Sequence, residues 1–386
     1  DKYVFAQMVE FLDNYKFLRI VKKYDGNKYV KHFTCWNQLL TLMFGQLCNR
    51  ESLRDLIVVL NAHQEKCYHL GVGKHVTRSN LAKANENRNY HIFEDFAFYM
   101  VNEARKKRIN DIFKLNGNVY AFDSTTIDLC LKLFPWANFR THKGGIKIHT
   151  LYDVETQVPT FIHITEAKIN DVKAMDVIPY ESGSFYVFDR ANDYHRLYKI
   201  HMMDSFFVVR AKTNIKAKVL KWKRRLPKNI QSDCEIELTG FYTQKSYPET
   251  IRLVRFWDEE DEREFIYLTN AKHIQALQVA ELYKNRWQVE LFFKWLKQHL
   301  KIKKFWGTSE NAVKIQVYSA IIAYCLVAIM QHDMKLDRST YEVLQILGIS
   351  LTDKTPLRDL FSKTKFNDVK EQSGLDGPNL FSNYNF

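Results

Sequence analysis

The sequence predicts an α/β protein with helical segments at both ends of the chain. Apolar residues recur at helical spacing through roughly the first 110 residues. From Asn118 the pattern changes to short runs rich in β-branched and aromatic residues, separated by turn chemistry. A long helical pattern from about His273 to Leu300 then precedes an apolar helical run, Val313–Met330.

The N-terminal helices show in Trp36, Leu39, Leu40, Met43, Phe44 and Leu47, and again in Leu53, Leu56, Ile57 and Leu60. A basic run, Arg105-Lys106-Lys107-Arg108, closes this section. Strands are expected at Val119–Phe122, Gly145–Asp153, Val158–Thr165 and Phe185–Phe188, then a helix at Tyr194–Met203 and a strand at Phe206–Arg210. Residues 213–264 form a different block. It opens with the basic, aromatic-bearing run Lys216–Lys228 and continues with strand-like Cys234–Leu238, Ile251–Phe256 and Glu264–Thr269. No Pro/Gly linker isolates the block, so it reads as inserted rather than appended. Lys301, Lys303 and Lys304 follow the long helix, and a polar helical tail ends the chain.

A chain of 386 residues implies two to four folded units, and 46% hydrophobic with 26% charged residues is a globular composition. Lys+Arg 57 against Asp+Glu 44 gives a formal charge of +13, which favours a polyanionic partner because phosphate neutralisation releases counterions. Plain solubility is the alternative. The six cysteines are scattered with no CxxC pair, which suits a reducing cytosol. No secretory signal opens the chain, and the longest apolar stretch, Val317–Met330, is shorter than the roughly 20 residues of a membrane span. It reads as a buried helix, with no membrane partner.

Two strands end alike. Val119-Tyr120-Ala121-Phe122 leads into Asp123, and Phe185-Tyr186-Val187-Phe188 leads into Asp189. Four apolar residues and then an acid suit a central strand leaving the core with a carboxylate at its carboxyl end, where open α/β sheets bind ligands. Two such carboxylates offer hard oxygen ligands to Mg²⁺ or Mn²⁺. Either could instead cap the following turn or helix. The long helix says more. At about 100° per residue, Arg286, Glu290, Lys297 and Lys294 fall at roughly 300°, 340°, 320° and 20° from Tyr283, which makes one stripe. Leu282, Val289, Phe293, Leu296 and Leu300 lie beside it, near 250° on the same arithmetic. A carboxylate among cations and a phenol therefore borders a core-facing stripe, at the mouth of a cleft. A phosphodiester site needs that set: a third metal ligand, with Arg and Lys for phosphate oxygens.

Tyr283-x2-Arg286-x3-Glu290-x6-Lys297 matches the Y-R-E-K signature of the bacterial insertion-sequence-four transposases, which belong to the DDE superfamily. Val187–Asp193 resembles that family's segment around its second acid, and Phe206–Arg210 the strand after it. Asp123-Ser124-Thr125-Thr126 resembles the first-acid segment, and Tyr267-Leu268-Thr269-Asn270 the strand before the signature helix. The resemblance runs collinearly over about residues 115 to 305. It implies a ribonuclease-H-like catalytic core at 113–212 and 265–330, a β-rich insertion at 213–264, an α-helical DNA-binding domain at 1–112 and a helical tail at 331–386. It implies that Asp123, Asp189 and Glu290 bind two Mg²⁺ ions, with Mn²⁺ able to substitute, for cleavage and strand transfer in cut-and-paste transposition. Tyr283, Arg286, Lys294 and Lys297 would contact DNA, as would Arg190 and Arg210. The family often cuts through a hairpin intermediate, with a flipped base held by a Trp of the insertion. The matching residue here is Phe265, and Trp222 and Trp257 are possible substitutes. The implied partners are double-stranded DNA, as terminal repeats and target, and a second copy of the chain in a synaptic complex. The implied location is the bacterial cytoplasm, at the nucleoid.

Other constellations carry less. His63, Cys67, His69 and His75 cluster in sequence, but their spacing fits no established zinc finger. Asp128 lies five residues past Asp123 and points to the opposite face of a regular strand, whereas Asp153, Asp171 and Asp193 sit in turn or helix-start contexts that suit capping. Gln38, Asn49, Arg50, Arg54, Arg78 and Arg88 are the right residue types for DNA contacts in the helical region. The rival functions are a catalytically inactive, transposase-derived DNA-binding regulator, a structured-RNA-binding protein, or a nuclease acting on hybrids.

Overall fold

A computed structural model describes residues 2–362 apart from 74–75, 109–112, 141–142, 191–192, 213, 300–303 and 339. His75, Ala191, Asn192, Leu300, Lys301 and Lys303 lie outside the described residues. Among the described residues ten strands form one sheet: β1 Val119–Leu129, β2 Asn138–Arg140, β3 Lys143–Asp153, β4 Val158–Glu166, β5 Phe185–Arg190, β6 Phe206–Arg210, β7 Ala217–Trp222, β8 Ile230–Leu238, β9 Ile251–Asp258 and β10 Arg263–Thr269. The order is β2-β3-β1-β5-β6-β10-β9-β8-β7, with β4 paired to β3. β1 runs parallel to β5 and β5 parallel to β6, while β3 is antiparallel to β1. The strands of the 213–264 block therefore extend the same sheet through β9 and β10.

The continuous apolar runs in β1 and β5 follow from burial on both faces. Val119, Ala121, Phe185 and Val187 point into one core, and Tyr120, Phe122, Tyr186 and Phe188 into the other. The first of these cores also takes in the N-terminal helices and the helix Glu310–Asp333. Several of the N-terminal helices start where a side chain can accept from the first turn: Asp13, Thr34, Ser52 and Thr77 each accept from the backbone N–H three residues on. Glu310–Asp333 has 24 residues, longer than its apolar stretch suggests. By length and composition it could cross a membrane, yet 94% of its most apolar window is buried inside the protein.

Two polar networks fasten these layers. Arg105, from the basic run, reaches the buried Asp153 at 3.1 Å and the Tyr120 hydroxyl at 2.8 Å, and that hydroxyl donates to Glu181 at 2.6 Å. Asp153 is thus a structural ion-pair partner. Arg252 forms a fork with Asp233 at 2.8 and 2.7 Å and donates to the carbonyls of Ala271 and Ile274. This fork ties the inserted strands to the segment leading into the helix Ala276–Lys284.

The expected single helix from His273 to Leu300 is two. Ala276–Lys284 and Gln288–His299 are joined by a 3₁₀ turn at Asn285–Trp287. The tighter turn winds by about 120° per residue rather than 100°, so it rotates Glu290 and the residues after it relative to Tyr283. The apolar stripe survives, with Val289, Phe293 and Leu296 buried. In the tail, helices occupy Thr340–Ser350 and Leu357–Phe361, and residues beyond 362 lie outside the described part.

Candidate active site

Asp123 does not end its strand. β1 continues to Leu129 against β3, and Asp123 pairs with Thr150. What ends is the parallel pairing with β5, whose last pair is Ala121 with Val187. Asp123 therefore stands where the sheet opens between β1 and β5. Asp189 occupies an irregular step in the pairing of β5 with β6, between Phe188 and Arg190. Glu290 comes from the second half of the broken helix.

One guanidinium collects all three acids. Arg286 places Nη1 3.2 Å from Asp123 Oδ2, and Nη2 2.8 Å from Glu290 Oε1 and 4.0 Å from Asp189 Oδ1. The 3₁₀ turn presents Arg286 there, four residues ahead of Glu290. Burial pushes the Asp123 carboxyl up to about 6. The Ser124 N–H and Arg286 pull it down, and the charges of Glu290 and Asp171 push it further up. The Tyr283 hydroxyl donates to the Asp189 carbonyl at 3.0 Å and to its Oδ1 at 3.1 Å. Burial, with the Asp189 charge beside it, pushes that phenol up to about 12, so it stays a donor at neutral pH.

The other expected contacts scatter around this centre. Lys297 Nζ donates to the Thr126 carbonyl of β1 at 3.0 Å. Lys294 is exposed, and Arg190 is exposed with Nε 3.9 Å from Asp189 Oδ2. Phe265 is only 7% exposed. The guanidinium groups of Arg210, at 5.2 Å, and Arg263, at 4.4 Å, lie over its ring, which stacks beside Tyr267. A base could stack on it only if those arginines moved. Trp287, half exposed and next to Arg286, lines the same cleft of about 520 Å³, and the sequence reading missed it. Trp222 and Trp257 are surface residues.

Of the rival acids, Asp193 caps the helix Tyr194–Met202, as expected, and pairs with Arg196 at 2.5 Å. Asp128 is exposed beyond the site. Asp171 departs from the capping expectation. Asn170 caps its short helix, and the Asp171 carboxylate turns instead into a cavity of about 150 Å³ shared with Asp123 and Asp189. Burial acts to raise its carboxyl but is outweighed by bonds from His149 and Ser124 and by the Lys147 charge, which hold it at about 2. A signal was present in β3, where Lys147 and His149 alternate with Ile146 and Ile148 and so give the strand one polar face.

In the N-terminal region, Gln38 is fully buried and donates to Asn85, and Arg88 donates to the carbonyls of Phe33 and Thr34 and to Gln38. Both are structural in this DNA-free chain. Arg54 and Arg78 remain exposed.

Among the described residues no three His, Cys, Asp or Glu side chains form a ready metal shell, His63, Cys67 and His69 included. The three acids meet through Arg286 rather than directly. Their convergence on one cationic group nevertheless marks a position for positive charge surrounded by hard oxygen donors. Carboxylate oxygens of this kind are the hard donors that divalent cations such as Mg²⁺ take.

Comparison with known proteins bears on this centre. Residues 115–326 match the family model described as transposase DDE domain, and residues 1–73 match a domain of unknown function. A Sinorhizobium fredii protein carrying the name transposase is 33% identical over 256 residues, covering 62% of this chain and 67% of its own length. A Geobacillus stearothermophilus protein named as an insertion-sequence transposase is 32% identical, covering 53% of this chain and 54% of itself. One from Synechocystis, similarly named, is 27% identical over 73% of this chain and 80% of its own length.

Proposed function

From the premise that this chain belongs to the DDE-domain transposases of insertion sequences, we propose that it cleaves DNA at the ends of its element and joins them to a target. The observation that carries the proposal is the convergence of Asp123, Asp189 and Glu290, from two strands and a helix, on Arg286. The strand arrangement supports a ribonuclease-H-like core: β4-β3-β1 antiparallel, with β5 and β6 following parallel to β1. Within the proposal, residues 1–112 recognise the terminal repeats, 113–212 and 265–330 form the catalytic core, 213–264 is its insertion and 331–386 a tail.

Asp123, Asp189 and Glu290 would hold two Mg²⁺, or Mn²⁺ in their place. When bound, these ions supply activation of the attacking water or 3′-hydroxyl and stabilisation of the leaving oxygen. The protein's own groups do the rest. The Tyr283 hydroxyl fixes Asp189, and Lys297 braces the strand that carries Asp123. Arg286 neutralises the acids while the cleft is free of DNA, and transfers to a phosphate when DNA enters. Arg190 and Arg210 line the cavities beside the acids, Lys294 lies exposed one turn after Glu290, and these would be further phosphate contacts, with a second copy completing the synaptic complex.

The test is nicking of supercoiled DNA carrying the element's own ends, in Mg²⁺ and in Mn²⁺, by wild type and Glu290→Gln. End-specific, metal-dependent nicking should fall by about a thousandfold or more in the variant. Wild type that binds the ends and never cuts would instead favour the inactive regulator.

A further inference from the structure

Given that Asp123 is a metal ligand, as proposed above, we infer that Asp171 is a positioning residue for it, acting through Ser124. Asp123 needs such support because of where it stands. Its strand has already parted from β5, so one flank of its backbone has lost a pairing neighbour. Ser124 supplies the missing restraint. Its backbone N–H donates to Asp123 Oδ1 at 2.7 Å, and its hydroxyl donates to Asp171 Oδ1 at 2.5 Å. One residue thus holds the first acid with its main chain and is itself held by its side chain.

Asp171 is in turn fixed from β3. The His149 ring is fully buried, with Nδ1 3.1 Å from Asp171 Oδ1 and Nε2 3.0 Å from the Thr165 hydroxyl of β4. With Nε2 bonded to Thr165, Nδ1 at ion-pair distance from Asp171 and the Phe122 ring lying parallel to it, the buried imidazole has little freedom to turn. Lys147 Nζ lies 3.5 Å from the same Asp171 oxygen and donates to the Ile169 carbonyl at 2.9 Å, so it also holds the loop that carries Asp171. The capping role that the sequence suggests for Asp171 is already filled by Asn170. Its carboxylate is left for Ser124, on the wall of the cavity where Asp123 and Asp189 open. Groups behind metal ligands that fix their orientation typically change metal affinity by 10–100-fold when removed.

The experiment is Mn²⁺ binding to the DNA-free full chain, followed by electron paramagnetic resonance or calorimetry, with thermal melting in the absence of metal as the check on folding. Asp171→Asn should weaken Mn²⁺ binding by about 10–100-fold. That change also removes a negative charge beside the site, so Ser124→Ala is the deciding variant, because it keeps the charge and breaks the link. It should weaken binding by about tenfold with little change in melting. Asp193→Asn, on the same cavity but paired with Arg196, should bind as wild type does. Mn²⁺ affinity unchanged in Ser124→Ala overturns the positioning role, whatever Asp171→Asn does. Wild type that takes up no Mn²⁺ overturns the metal site itself. Binding lost in Glu290→Gln but kept in both Asp171→Asn and Ser124→Ala leaves the metal site standing and this inference overturned.

Discussion

Arg88 and Arg286 are both half-buried arginines, and the sequence offers both as DNA contacts, yet their surroundings differ in kind. Arg88 faces neutral acceptors: the carbonyls of Phe33 and Thr34 and the amide oxygen of Gln38. The helices that provide them need its donors to satisfy buried carbonyls. Arg286 faces three carboxylates, two of them more than half exposed, at the opening of a cleft. A guanidinium among neutral oxygens completes a fold. One among excess carboxylates compensates charge, and on the function proposed above a metal cation takes over that task and leaves the arginine for a phosphate. The difference lies in what remains behind when the arginine leaves.

Arg88→Ala should sharpen that contrast most. Loss of its charged hydrogen bonds strands the buried Gln38 and two carbonyls, and should lower stability by about 3 kcal/mol, read in chemical denaturation. Mn²⁺ affinity in the folded fraction should stay as it was. A stable Arg88→Ala chain that lost only DNA binding would break the comparison. The next effect is the pH dependence of metal uptake. The Asp123 carboxyl is raised to about 6, so below that pH it holds a proton that a cation must displace. Mn²⁺ affinity should therefore rise as pH increases from 5 to 7, by up to about tenfold per unit on the acid side, and flatten above. The same raised carboxyl makes the folded metal-free chain bind more protons than the unfolded chain between the ordinary value and about 6, so its contribution to stability falls as pH rises through that window. Calorimetric titrations at several pH values, with Asp123→Asn as the flat reference, check the metal dependence. The smallest effect is on DNA. Arg286→Ala should weaken binding to the element's ends and lower the salt slope by about one, because one phosphate contact is gone. A slope equal to the wild type's would count against Arg286 as a phosphate contact and leave it only its role between the acids.

Much of the fold was legible because its signals are local. The strand runs at 119–122, 185–188 and 206–209 are apolar on consecutive residues, which requires burial on both faces, and the structure places them at the middle of the sheet. The grouping of Tyr283, Arg286 and Glu290 was legible for the same reason, since spacing along a helix is a property of neighbours, although the helix that carries them is broken and Lys297 turns to the Thr126 carbonyl. The break at Asn285–Trp287 was not. Nothing in Asn-Arg-Trp forbids an α-helix, and the tighter turn forms in the stretch that brings Arg286 against Asp123. The sequence could not separate Gln38 and Arg88 from the exposed candidates, because a polar side chain reads the same in solvent and in a buried network.

The sequence by itself determined most of the element types, because they are marked by periodicity within short segments, and together with the family resemblance it proposed the three acids and the cation among them. Only the tertiary structure decided that Asp123 lies at a parting of strands rather than at a strand end. It also decided that the inserted strands extend one sheet, that Phe265 is covered, and that Asp171 looks into the site instead of capping a helix. Those outcomes depend on contacts between residues far apart in the chain: Ser124 with Asp171, Arg210 with Phe265, Lys297 with Thr126. Packing sets such distances, and no local spacing encodes them.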